Sequence, residues 1–291
     1  MNILVLGATG MAGHVIAIHL KEVGYNVTAF SRSKFAYCDN IIGDVLDFPF
    51  LERVILEGNY DAVINAVGIL NQDASDRRAR AILLNSYLPH YLSDIAFNLK
   101  TRVIHMSTDC VFSGKAGRYV ETSMRDGESF YDRTKALGEL ENDKDLTFRN
   151  SIIGPDLSEN GIGLFNWFMK QSGQINGYAN ALWSGVTTLT LAKAMGKAVE
   201  EGVTGLYHLV PGESISKYAL LKLFNKHIRD NKLAIEPIER PIIDKSLVNT
   251  RNDFSFVVPS YEQMIIEMKE WIIAHETLYP HYFRRRQIIA D

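Results

Sequence analysis

The stretch that decides the fold is Asn2-Ile-Leu-Val-Leu-Gly7-Ala-Thr9-Gly10-Met11-Ala-Gly13-His14-Val-Ile-Ala-Ile-His-Leu-Lys-Glu-Val23. Its first residues form a short apolar run suited to a buried strand, and from residue 11 the apolar residues recur at helical spacing. Three glycines stand between. Gly7 permits the tight turn, Gly10 lets the backbone approach a bound phosphate, and Gly13 allows the helix to pack closely on the strand. Helix N-termini offer free N–H groups and a positive dipole end, so Gly7 to Gly13, with Thr9 and Met11, read as a phosphate-binding loop. The spacing is Gly-x-x-Gly-x-x-Gly, a variant of the more familiar Gly-x-Gly-x-x-Gly. Residues 3 to 20 contain no Asp, Glu, Lys or Arg. Even so, no basic residue precedes them, and glycines and histidines interrupt them, which argues against a targeting or membrane segment.

Outward from this unit, strand and helix patterns alternate through the first half, as a parallel, doubly wound α/β sheet requires. Strands are predicted at 2–6, 26–30, 40–43, 61–66, 102–107 and 146–150, and helices at 11–23, 47–57, 75–98 and 130–142. The run 75–98 is long for one helix, and Pro89 is expected to kink it. Past residue 150 glycines punctuate a loop-rich stretch. Helix patterns then return at 188–201, 216–230 and 260–275, with a strand at 205–210. The division predicted is residues 1–150 as a nucleotide-binding domain and residues 151–291 as a smaller substrate-binding lobe, packed intimately on the first.

Composition excludes several classes. With 31 basic and 34 acidic residues among 291, the net charge of −3 argues against a nucleic-acid partner. Arg284-Arg-Arg286 reads as a solvated tail. Cys38 and Cys110 stand alone, without metal-ligand spacing, and fit free thiols in a reducing cytoplasm. The eight histidines form no His-x-x-x-His pair, so no metal is expected. No run approaches the ~20 apolar residues that span a bilayer.

Ligands of open parallel sheets bind beyond the carboxyl ends of the strands. There the sequence places Ser31-Arg32, where a basic side chain suits a ribose 2′-phosphate, and Asp44-Val45, suited to an adenine edge. Ala66-Val67-Gly68 is small enough for a ligand to lie on the backbone, and Ser107-Thr108-Asp109 brings hydroxyls and a carboxylate. Farther on comes Glu128-Ser-Phe-Tyr131-Asp-Arg-Thr-Lys135. Residues four apart share a helix face, and a cation beside a phenol favours its ionised form, so Tyr131 and Lys135 are a candidate acid–base pair. Tyr-x-x-x-Lys is common on helices, and its weight comes from the company it keeps.

Four features in order carry a family resemblance: the Gly7/Gly10/Gly13 loop, Asn65-Ala-Val-Gly68, Ser107-Thr-Asp-Cys-Val-Phe-Ser-Gly114 and Tyr131-x-x-x-Lys135. Together they resemble an extended short-chain dehydrogenase/reductase, and within it the dTDP-4-dehydrorhamnose reductases and related nucleotide-sugar 4-ketoreductases. Thr134-Lys-Ala-Leu-Gly-Glu139, Arg149-Asn-Ser-Ile-Ile-Gly154 and Gly185-Val-Thr-Thr188 resemble further motifs of that group, with Val186 where a proline is usual. Gly68-Ile-Leu-Asn-Gln-Asp73 departs from its alanine-rich segment, and residues 150–185 match poorly.

The resemblance implies a Rossmann-like fold and an NADPH-dependent reduction of a nucleotide-linked 4-keto-6-deoxy sugar, with NADH the less favoured cofactor. It gives Tyr131 the proton, Lys135 the phenol and the nicotinamide ribose, and Thr108, with Ser107 as alternative, the carbonyl oxygen. Asp109 would contact a sugar hydroxyl, and Asn85 would bind the cofactor and brace the site. Trp183 would line the sugar or base pocket, with core packing as its alternative. A homodimer is also implied. Two rivals share the fold: a nucleotide-sugar epimerase with tightly held NAD, and a non-catalytic regulatory subunit of the kind that accompanies some methionine adenosyltransferases.

Overall fold

The computed structural model describes residues 1–283, so the Arg284–Arg286 segment lies outside the described residues. Seven strands form one parallel sheet: β1 (Asn2–Leu6), β2 (Asn26–Ser31), β3 (Asp39–Ile42), β4 (Ala62–Asn65), β5 (Arg102–Met106), β6 (Leu146–Arg149) and β7 (Gly205–His208). Their order is β7-β6-β5-β4-β1-β2-β3. The chain therefore winds outward from β1 through β2 and β3, then returns to build the other half from β4. That reversal opens a crevice beyond the carboxyl ends of β1 and β4, where Leu6 pairs with both Phe30 and Asn65.

Alternation along β1 explains the layering. Successive side chains point to opposite faces. Ile3 and Val5 belong to the core that includes Val15 and Ile16 of α1 (Met11–Glu22), while Leu4 and Leu6 join Leu51 and Ile55 of α2 (Phe48–Glu57). All four β1 residues are fully buried. Helices on both faces make this near-continuous apolar run the stable choice.

The predicted helix 75–98 is divided into helical segments Asn71–Asp76 and Arg78–Ala81, a π-helical turn Ile82–Tyr87, and α3 (Leu88–Ala96). Pro89 begins α3. It has no N–H for the carbonyl four residues back, that of Asn85, so the regular ladder breaks where the π-turn lies. The predicted helix 130–142 stops earlier, as α4 (Phe130–Leu137). A Ser129–Asp132 capping box opens it, and Gly138 closes it where a Cβ would lie 1.9 Å from the Asn85 carbonyl oxygen.

The second half does not stay apart from the first. β7 completes the sheet beside β6, and α5 (Thr188–Glu201) packs on α1. The rest of the second lobe is built on short pairings, including Ile152–Ile153 with Val186–Thr187 and Gln174–Tyr178 with Ala234–Ile238. Helices α6 (Lys217–Ile228) and α7 (Tyr261–Ala274) cover it. The Tyr279 hydroxyl then lies 2.7 Å from His14 Nε2, tying the segment after α7 back to α1. No helix among the described residues is long and apolar enough to cross a membrane.

Candidate active site

Gly7 adopts φ +80°, a conformation in which a Cβ is strained. A Cβ on Gly13 would sit 2.2 Å from the Gly7 carbonyl oxygen, so the first turn of α1 lies directly against the loop. Gly10 caps α1 without a side-chain hydrogen bond, leaving the helix end to face the crevice. These observations fit a pyrophosphate cradle.

Two adjoining cavities flank that cradle. One, of about 350 Å³, is lined by Gly7, Thr9, Gly10, Ser31, Arg32, Asp44, Val45 and Ala66–Gly68, together with Asp73, Arg77 and Arg80. The other, of about 500 Å³, is lined by Gly10, Met11, Ala66–Gly68, Ser107, Thr108, Tyr131, Lys135 and Asn150–Ile152. They share Gly10 and Ala66–Ile69 and so form one continuous trough. Arg32 is exposed at its rim. Ser31 is buried and donates to the Ser33 carbonyl, which shapes the turn carrying Arg32. Asp44 accepts from the Leu46 N–H and lies 3.8 Å from Arg80.

The other end of the trough is where chemistry can occur. α4 buries Tyr131, Thr134 and Lys135 on one face. Asn85 braces that face: it donates to the Thr134 hydroxyl at 3.1 Å and the Ile69 carbonyl at 2.9 Å, and accepts from the Ile69 N–H at 2.9 Å. One side chain thus joins α4, the π-turn and the loop after β4. Asn85 is not among the residues lining either cavity, so it braces the site from behind and is not placed as the cofactor contact expected of it.

Burial pushes the Tyr131 phenol well above its usual range, the nearby Cys110 adds to this, and the Thr108 hydroxyl opposes it. The expected lowering by Lys135 is not what governs this phenol. The lysine amine is engaged elsewhere, 2.6 Å from the Met106 carbonyl oxygen and 3.3 Å from His105 Nε2. Burial pulls Lys135 down to about 8, against the favourable field of Glu139.

Thr108 accepts from the Cys110 N–H and donates to Asp109 at 3.1 Å. Ser107 is committed to a buried network, donating to Glu139 at 2.5 Å. Glu139 in turn receives two hydrogen bonds from fully buried Arg149, at 2.8 and 2.6 Å. Asp109 is buried behind Thr108 and does not line the cavity; burial raises its carboxyl, with Lys245 and hydrogen bonds from Thr108 and Cys110 opposing. Trp183 is not brought to the site either. It is buried against Tyr261, and a Cβ on Gly185 would meet its ring at 2.1 Å, so core packing is what this indole does.

The sequence reading passed over Asp73, Arg77 and Arg80, which lie on the broken helical run where no periodicity marks a site. It also passed over Asn150, whose side-chain oxygen is buried without a partner beside the cavity. His105, set between Ile104 and Met106 in a buried strand, was the available signal for the group under Lys135. No cluster of three or more His, Cys, Asp or Glu able to hold a metal occurs among the described residues.

The family profile described as RmlD substrate binding domain matches residues 1–252. The chain belongs to this family. Among RmlD-like relatives, dTDP-4-dehydrorhamnose reductase of Shigella flexneri is 26% identical over 290 residues, covering 90% of this chain and 95% of that protein. Spore coat polysaccharide biosynthesis protein SpsK of Bacillus subtilis is 28% identical over 144 residues, so that match spans about half of each chain, 47%. Methionine adenosyltransferase 2 subunit beta of Xenopus laevis is 25% identical over 234 residues, covering 75% of this chain and 69% of that one. The crystal structure of dTDP-4-dehydrorhamnose reductase from Bacillus anthracis in complex with NADP superposes with a TM-score of 0.76 at 19% identity, over 92% of this chain and 98% of that one. That likeness establishes the shared Rossmann-like fold.

Proposed function

We propose that this protein is an NADPH-dependent reductase of a nucleotide-linked 4-keto-6-deoxy sugar. The observation that carries the reading is the convergence of Tyr131, Lys135 and Thr108 on one cavity that continues into the glycine cradle. The relatives named dTDP-4-dehydrorhamnose reductase support the substrate class, and the NADP held by the Bacillus anthracis protein supports the cofactor. Arg32, with Arg77 and Arg80 on the same cavity, is the feature favouring a 2′-phosphate over an unsubstituted ribose.

The cofactor, when bound, supplies the hydride; the protein supplies position and electrostatics. Gly7, Gly10 and the start of α1 would hold the pyrophosphate, and Ala66–Gly68, which line both cavities, would lie beside the cofactor. Burial keeps the Tyr131 phenol protonated, which is the form an acid needs before negative charge builds on a ketone oxygen. Thr108 turns its proton from Asp109 to that oxygen while still accepting from Cys110, and so stabilises the developing charge. Ser107, tied to Glu139, holds the end of β5 in place. The described residues after 150 that lie outside the central sheet would cover the nucleotide-sugar. Homodimerisation belongs to the same reading, and exposed Leu83, Tyr87 and Leu137 on the adjoining π-turn and α4 support it.

The likeness to methionine adenosyltransferase 2 subunit beta favours a second reading, a regulatory subunit that retains the fold. A screen of purified protein with NADPH against dTDP-, UDP- and GDP-4-keto-6-deoxy sugars separates the two. Loss of NADPH absorbance with one of them supports the reductase. Tight complex formation with another enzyme, without turnover on any sugar, supports the regulator.

A further inference from the structure

Residues 276–283, which follow α7, line neither cavity of the trough, yet they are hydrogen-bonded to a loop at each. The bonds come from two tyrosines, Tyr279 and Tyr282, at 0% and 1% exposure. A phenylalanine would fill the same apolar space with no hydroxyl to satisfy. Both hydroxyls are used.

The first reaches the phosphate loop. His14 Nδ1 lies 2.8 Å from the Gly10 carbonyl oxygen, which can only accept, so Nδ1 carries a proton. Burial pulls the imidazole down to about 4, with the Gly10 hydrogen bond opposing, so the ring is neutral and Nε2 is bare. Nε2 therefore accepts from the Tyr279 hydroxyl at 2.7 Å, and that oxygen accepts from the Trp271 indole at 3.1 Å. Each proton has one place. The Gly10 carbonyl and the Met11 N–H belong to one planar trans peptide and point in opposite directions. Fixing the carbonyl thus fixes the N–H, which opens α1 and has no helical acceptor of its own. Gly10 lines both cavities and Met11 the second.

The second hydroxyl reaches the loop after β6. It accepts from the Asp156 N–H at 3.0 Å, while the Tyr282 ring meets Phe165 edge-on, 5.5 Å between centroids. Asp156 lines the second cavity and turns the chain there, accepting from the Ser158 N–H at 2.9 Å. Ile162 and Gly163 continue that wall, and a Cβ on Gly163 would lie 3.0 Å from the Met11 sulfur.

We propose that Tyr279 and Tyr282 are positioning residues, and that residues 276–283 act as a strap setting the phosphate loop through His14 and the facing wall through Asp156. The ligands assigned to the two cavities rest on the reductase reading; the setting of the two loops does not.

Amide hydrogen exchange in the protein without ligand tests the strap, with wild type compared to Tyr279→Phe and Tyr282→Phe. Tyr279→Phe should speed exchange in residues 7–14 and Tyr282→Phe in residues 156–163, each about 2–10-fold, the worth of one hydrogen bond. Tyrosines that only fill the core would lower the unfolding midpoint and leave local exchange in these loops as in wild type. Fluorescence titration with NADPH should show Kd raised about 2–10-fold by Tyr279→Phe and unchanged by Tyr282→Phe. In an active preparation, Tyr282→Phe should instead raise KM for the sugar. His14→Leu should reproduce Tyr279→Phe and carries the test if that variant does not fold. Adding Tyr279→Phe to His14→Leu should cause no further loss of NADPH affinity, because the tyrosine acts through the histidine. Wild-type exchange in residues 7–14 of the folded Tyr279 or His14 variant, or in residues 156–163 of Tyr282→Phe, overturns the proposal. So does a wild-type NADPH Kd in Tyr279→Phe. Wild-type protein that binds no NADPH would count against the cofactor reading alone.

Discussion

Gly13→Ala sets two effects of opposite sign against each other, and the structure decides between them. Gly13 lies in the first turn of α1, where alanine is favoured over glycine by about 1 kcal/mol. Against this, the new Cβ would sit 2.2 Å from the Gly7 carbonyl oxygen and 2.8 Å from its carbon, both backbone atoms with no rotamer to change. Loop and helix would have to part by roughly 1 Å to restore van der Waals contact. The loop cannot retreat freely, because Gly7 at φ +80° already abuts Ala66 and Val67. Overpacking of this kind costs about 1–3 kcal/mol, so the net loss of stability should be up to about 2 kcal/mol. The larger effect should be on ligand binding, since the displaced groups are those that face the pyrophosphate. Urea unfolding gives the first quantity and NADPH fluorescence titration the second. A variant that is more stable than wild type and binds NADPH normally would refute the close-packing argument.

Arg32→Ala should weaken NADPH binding by about 1.5–3 kcal/mol, the worth of a charge-assisted hydrogen bond, while NADH affinity hardly moves; equal affinity of the wild type for both cofactors would defeat the 2′-phosphate assignment. The buried Glu139 carboxyl would be raised by burial alone, but the Arg149 hydrogen bonds and charge, then Ser107 and Arg125, hold it below its ordinary 4.5. Its stabilising effect is therefore fully present above pH 4.5 and lost as pH falls through the lower folded value. Glu139→Gln should cost about 3–5 kcal/mol near neutrality, because buried Arg149 keeps its contacts to His208 and the Glu121 carbonyl but loses its buried carboxylate partner, and its unfolding free energy should vary less with acid. Urea titrations across the acid range check both, and wild-type acid sensitivity in the variant would contradict the network.

The alternating elements were legible because their physics is local. The apolar run before Gly7, the helical spacing after Gly13 and the hydroxyl and carboxylate residues after β5 each signal themselves within a few positions. Tyr131 and Lys135 could be placed on one face from spacing alone, and the structure brings both to the cavity beside Thr108. What sequence could not supply was the balance of long-range effects. Burial rather than Lys135 sets the Tyr131 phenol, and Lys135 turns to Met106 and His105 on a neighbouring strand. Trp183 offered the same large aromatic surface to a pocket or to a core, and only the packing of Tyr261 and Gly185 assigns it to the core. Pro89 marked the run 75–98 for a kink, but the π-turn and the two short segments before it depend on the tertiary hydrogen bonds of Asn85, which no local pattern announces. Likewise β7, separated in sequence by the whole loop-rich stretch, gives no sign that it will complete the first sheet.

The most direct test of the central claim is transfer of label from NADPH carrying two deuteriums at C4 to a dTDP-4-keto-6-deoxy sugar, read by mass spectrometry of the product. The account predicts one deuterium on the carbon that was the ketone, with Tyr131→Phe lowering the rate roughly 10²–10⁴-fold, the range for loss of a positioned acid, while NADPH still binds. Product without deuterium, or Tyr131→Phe working within a few-fold of wild type, would contradict it.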